Sequence, residues 1–204
     1  MSGEAGASPI ADFYGLAAEL LSFPGPGLAA ALRGGEIRGA AEHMLAHIRV
    51  ELSVPLSVLG PIDISDKDLE SEFIRLFDVP DGPATPLYTG VYAQRRRDAM
   101  EELLRVYRHF GLTIGNASQD LPDFVPTILE FLQFLATGAA QAEDVSREPF
   151  LAATADLIER HLGPWVAETS TRLEKRNAHP FYRGLIALVG EVTAAEAAGI
   201  RGDD

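Results

Sequence analysis

The chain has 204 residues, 47% of them hydrophobic and 23% charged, which is enough apolar material for one sizeable core. It has no cysteine, so a disulfide framework, a thiolate metal site and a cysteine nucleophile are all excluded. Thirty acidic residues against seventeen basic ones leave a formal charge of -13, which repels nucleic acid and attracts a basic peptide or basic protein surface.

The amino terminus MSGEAGASPIADFYG has no basic stretch ahead of an apolar run and is not read as a secretory signal. Nowhere does a run of about 18 uncharged apolar residues occur. A cytoplasmic protein without stable membrane insertion is therefore expected.

Apolar residues recur at helical spacing along almost the whole chain. Ser8-Pro9 predicts a helix start, a capping hydroxyl followed by a first-turn proline. Ile10, Phe13, Ala17, Leu20 and Leu21 line its inner face as far as Pro24. Ile37, Ala41, Met44, Leu45, Ile48 and Leu52 form a second stripe. Val50 to Leu59 is the nearest approach to strand alternation, and Pro55 argues against it. Ser65 with Asp68 has the form of a capping box, opening a helix that carries Leu69, Phe73, Leu76 and Phe77.

Asp78 to Gly90 (DVPDGPATPLYTG) is rich in turn-forming residues and is read as one long structured loop. A long helix follows, with Ala99, Leu103, Val106, Tyr107 and Phe110 inward and Gly111 as its stop. Phe124 to Leu135 is apolar on nearly every side, which predicts the central helix of a bundle ending at Gly138. Three more stripes follow, around Phe150–Ile158, Trp165–Leu173 and Phe181–Val192, with Pro164 and Pro180 at helix starts. The expected fold is all-α: a single-domain bundle of about eight or nine helices over residues 8–198, with 1–7 and 199–204 frayed.

Few side chains suggest chemistry. His43 and His47 lie four apart, but the residue after His43 is Met44, so the HExxH glutamate is missing and a solvated helix face accounts for the pair. His109, His161 and His179 are isolated and read as surface or helix-end residues. There is no GxSxG, P-loop or GxGxxG. Arg95-Arg96-Arg97 reads as a solvated helix face. Asp123, between Pro122 and Pro126, is placed as a helix-start cap. Glu130 sits in the most apolar helix, where an unpaired carboxylate is expensive, so an arginine or tyrosine hydroxyl is expected beside it.

Three segments, EFIRLF at 72–77, PLYTGVY at 86–92 and LPDFVPTILEFLQFL at 121–135, resemble in order and spacing the TorD/DmsD/NarJ family of molybdoenzyme maturation chaperones. HLGPW at 161–165 and Phe181-Tyr182-Arg183 are similar to the family's carboxy-terminal half, so the resemblance spans roughly residues 10 to 190. Two positions depart from it: Phe124 stands where the family has histidine after Pro-Asp, and Thr89 where an acidic residue is frequent.

The resemblance implies a TorD-like fold and a system-specific cytoplasmic chaperone that catalyses nothing and holds no cofactor. The implied partner is the immature catalytic subunit of a molybdopterin-guanine-dinucleotide oxidoreductase, bound through a basic-apolar amino-terminal segment. The chaperone would keep that subunit open for cofactor insertion and delay its export or membrane attachment. A paired-arginine, apolar segment needs carboxylates and an aromatic groove. Glu72, Asp78, Asp81 and Asp123 are expected to supply the charge; Phe77, Tyr88, Tyr92 and Phe124 are expected to supply apolar contact. In the family the Asp-His pair is implicated in signal recognition, and only Asp123 carries over. Whether the partner has a functional export signal or a remnant stays open. The alternatives are a helical interaction module with an unrelated client and, less well supported by motifs, a small nucleotide-binding enzyme.

Overall fold

The computed structural model describes residues 8–48, 50–78, 85–113 and 121–202. Among these residues nine α-helices form, α1 Pro9–Leu20, α2 Leu28–Gly34, α3 Glu36–Leu45, α4 Asp66–Phe77, α5 Arg96–His109, α6 Val125–Gln141, α7 Asp144–Leu157, α8 Gly163–Lys175 and α9 Pro180–Gly202. No strand occurs among the described residues; Leu56–Leu59 and Thr89–Tyr92 are 3-10 turns.

The all-round apolar segment is α6, and it lies at the centre. Ile128, Leu129, Leu132 and Leu135 are wholly buried, each contributing about 1.5–3 kcal/mol by leaving water. The first helix packs along α6 on one side and α7 on the other, while α8 and α9 pair with each other. Trp165, Phe181, Tyr182, Leu188 and Val189 close this second part of one continuous core.

Local signals explain some of the helix ends. Ser65 Oγ accepts the Asp68 N–H at 3.1 Å, completing the expected cap of α4. Gly111, at φ +75°, terminates α5, with Leu112 N–H on Tyr107 O and Gly111 N–H on Arg108 O. At α9 the cap is unexpected: His179 Nδ1 accepts the Phe181 N–H at 3.2 Å.

Several expectations are corrected. Ser8 precedes α1, but its hydroxyl makes no cap bond. Seven-residue α2 is too short to show a period, and the second stripe ends at Leu45, so Leu52 belongs to the following loop. Gly138 does not end α6; it lies inside the helix because the Phe150 ring fills the space a Cβ would need. α7 and α8 run on without a loop through a π-turn, Ile158–Leu162, in which Gly163 N–H reaches Ile158 O. The widened turn precedes Pro164, which has no N–H to offer an ordinary turn. Residues 199–202 are helical rather than frayed, since Arg201 pairs with Asp156 at 2.8 Å and Glu159 at 3.0 Å. Residues 1–7 lie outside the described residues.

Candidate functional site

Backbone bonds dock the segment after α4 onto the head of α6. Thr85 N–H and Oγ–H both donate to Leu76 O, at 3.0 and 2.7 Å, folding the chain back over the end of α4. Trp165, wholly buried, donates its Nε1–H to Pro86 O at 2.9 Å. Then Val125 N–H bonds Leu87 O and Thr89 N–H bonds Asp123 O, both at 2.8 Å. This pair of bonds is a lone antiparallel bridge between Tyr88 and Phe124. It sets their half-buried rings 5.3 Å apart in a tilted pair.

Beneath that pair lies Asp123. It does not cap α6, whose first turn carries no side-chain cap bond; Phe124 holds the cap position instead. The Asp123 carboxyl is wholly buried. Its Oδ2 takes the Arg96 Nε–H at 3.2 Å, while Oδ1 has no hydrogen-bond partner among the described residues. Gly90 permits this fit, because a Cβ there would stand 2.6 Å from Oδ2. The Arg96 guanidinium also lies 5.4 Å from the Tyr88 ring centre, a cation–π contact. Arg96 is therefore tied into the site rather than merely solvated, whereas Arg95 and Arg97 make surface pairs with Asp98 and Glu101.

Tyr92 closes one flank. Arg172 stacks over its ring at 5.0 Å, and its buried hydroxyl faces that of Thr169 without a well-formed hydrogen bond. Burial raises the pKa of the Tyr92 hydroxyl. The 3-10 turn that carries Tyr92 touches the π-turn. There His161 is buried with Nε2 3.9 Å from Glu102, contrary to the surface placement expected. Burial lowers the His161 pKa and outweighs the opposing pull of Glu102. His161 and Glu102 stand at one end of a cleft of about 490 Å³ between α5 and α7, floored by Val106, Phe110, Ala153 and Leu157.

The eight expected site residues thus separate. Tyr88, Tyr92, Asp123 and Phe124 come together. Glu72 does not join them: Arg75 grips it with two bonds of 2.7 Å, and His179 N–H adds a third of 2.7 Å. Burial pushes the Glu72 carboxyl up, but these bonds prevail and hold it below the usual range. Phe77 is buried against Phe73 and Tyr182, with ring centres 5.1 and 5.4 Å away. Asp78 is exposed at the end of α4, and Asp81 lies outside the described residues.

Glu130 is corrected as well. It points to solvent from a helix whose neighbours Leu129 and Phe131 are buried, so no buried partner is needed. Sequence reasoning passed over Arg96, Gly90 and Trp165. For Arg96 a signal existed: three consecutive arginines at a helix amino terminus oppose the helix dipole, and such a placement needs a compensating anion.

A protein-family model described as nitrate reductase delta subunit matches residues 57–170, the stretch from before α4 into α8. The perchlorate reductase assembly chaperone protein of Dechloromonas aromatica is 31% identical over 184 residues, covering 86% of this chain and 82% of that one. The chlorate reductase assembly chaperone protein of Ideonella dechloratans is 37% identical over 52% of this chain and 58% of its own. A solved structure, a putative redox enzyme maturation protein from Archaeoglobus fulgidus, superposes with a TM-score of 0.52 over 98% of this chain and 96% of that one, at 16% identity. That likeness concerns the fold alone. Together with the helical core and the Tyr88–Asp123–Phe124 junction, the sequence matches establish that the chain belongs to the nitrate reductase delta subunit family and is an assembly chaperone, not an enzyme.

Proposed function

We propose that this chaperone binds the immature catalytic subunit of a molybdopterin-guanine-dinucleotide oxidoreductase in the cytoplasm, through that subunit's basic-apolar amino-terminal segment. The observation that carries the reading is the Tyr88–Phe124 pair. Two aromatic rings stay partly exposed, mounted on a backbone bridge that sets their spacing. Pre-set aromatic surface of this kind binds an apolar segment with little ordering cost. Tyr88, Tyr92 and Phe124 supply apolar contact. Exposed Asp78 at the end of α4, together with Asp81, supplies charge. Asp123 acts through Arg96, which it positions against Tyr88. Glu72 and Phe77 act by holding α4 against the start of α9. Holding the segment keeps the client open while its cofactor enters and postpones export or membrane attachment.

The test is isothermal titration of the protein with a synthetic peptide containing two arginines followed by a leucine-rich stretch. Saturable binding is expected, weakened about tenfold or more by Phe124→Ala, the scale of an aromatic anchor. Absence of any binding at both low and moderate salt overturns the reading.

A further inference from the structure

Resting on that reading, we infer that the basic end of the client segment docks in the cleft between α1, α2 and α6, held by Glu19 and Glu130. This cleft, about 650 Å³, is within the range of ligand-sized sites. Its walls include Ala18, Phe23, Leu28 and Ile37; among the described residues its charged lining is Glu19 and Glu130, with no lysine or arginine.

Several exposed acids of this chain are matched by its own arginines: Glu42 with Arg38, Glu101 with Arg97, and Asp156 and Glu159 with Arg201. Glu19 and Glu130 are both exposed, and neither has an ion-pair partner among the described residues. Two carboxylates over an apolar floor complement a cation followed by apolar side chains. Phe23 on the rim is 53% exposed, an aromatic left in water beside those carboxylates.

Between the cleft and the aromatic pair, Thr127, Glu130 and Gln133 recur three residues apart on α6 after Phe124 at its cap, and none of the four is buried. From Phe124 to Glu130 the helix rises about 9 Å and turns through about 120°, a separation that about five extended residues span. A segment with arginines at Glu19 and Glu130 therefore brings its next apolar residues to Phe124 and Tyr88. This is the order of a basic pair followed by an apolar run.

The experiment is fluorescence anisotropy of a labelled arginine-pair, leucine-rich peptide on wild type, Glu19→Gln, Glu130→Gln, the double variant and Glu148→Gln, an exposed acid on α7. Both target side chains are exposed, so the variants fold; circular dichroism checks this. The double variant is expected to bind about tenfold more weakly at low salt and Glu148→Gln as wild type. A peptide with glutamines replacing its arginines is expected to lose the difference between wild type and double variant. Wild-type binding that the double variant retains in full overturns this assignment and leaves the chaperone reading standing. Failure of wild type to bind the peptide at all overturns both.

Discussion

Arg96 and Asp123 form a lopsided pair, and their variants should behave lopsidedly. The Asp123 side chain is wholly buried with one oxygen unpaired, whereas 43% of the Arg96 side chain is exposed. In Arg96→Met the carboxylate stays in the interior with no cation. Stranding one partner of a buried pair costs about 3 kcal/mol or more, and the lost contact with Tyr88 adds about 0.5–1 kcal/mol. In Asp123→Asn the guanidinium turns to water instead. The lost charge-assisted bond, about 1.5–3 kcal/mol, is offset in part because an amide is easier to bury than a carboxylate, leaving a net loss of about 1 kcal/mol. The double variant strands no charge and should cost little more than Asp123→Asn. Urea unfolding followed by fluorescence measures this, because the single tryptophan, Trp165, is buried and bonded to the loop at Pro86. With a urea slope of about 2 kcal/mol/M, Arg96→Met should lower the midpoint by about 2 M and Asp123→Asn by about 0.5 M. Equal losses in the two single variants, or additive losses in the double, would refute the argument from unequal burial.

Three other variants probe the framework. Glu196 takes a hydrogen bond from buried Tyr14, and burial raises its pKa to about 7. The fold favours the protonated acid, so stability is greatest below the unfolded value near 4.5 and falls as pH rises through about 7, by of the order of 3 kcal/mol; Glu196→Gln should flatten that slope in thermal melts between pH 5 and 8. Gly138→Ala should destabilise despite its better helix propensity. The new Cβ meets the Phe150 ring, which Phe110 and Phe134 flank, and a loss of about 1–3 kcal/mol is expected in the same urea assay. Trp165→Phe leaves Pro86 O without its donor and should cost about 1–2 kcal/mol. It should also speed proteolysis after α4, read by limited digestion; unchanged cleavage would mean that Trp165 does not hold the loop.

Patterns that act over one or two turns were legible without coordinates. The apolar surround of α6, the Ser65–Asp68 cap, the Gly111 stop and the acidic balance each depend on residues adjacent in the chain. So did the grouping of Tyr88, Asp123 and Phe124, through the order and spacing of the segments that resemble known chaperones. What remained hidden depends on residues far apart. Gly138 looked like a helix stop until Phe150 occupied its missing side chain, and His161 looked exposed until the π-turn rolled it beside Glu102.

Glu130 shows the division most plainly. Composition places it in an apolar helix, and only the packing of α1 against one part of α6 decides that this side faces water. Sequence by itself determines an acidic, all-helical chain, because helix periodicity and caps are local, and the resemblance of its segments points to a chaperone. Tertiary structure alone decides which carboxylates are spent internally, as Glu72 and Asp123 are, and which stay open, as Glu19 and Glu130 do. A charge's availability depends on the partners and solvent that folding brings to it, and neither is written in its neighbours along the chain.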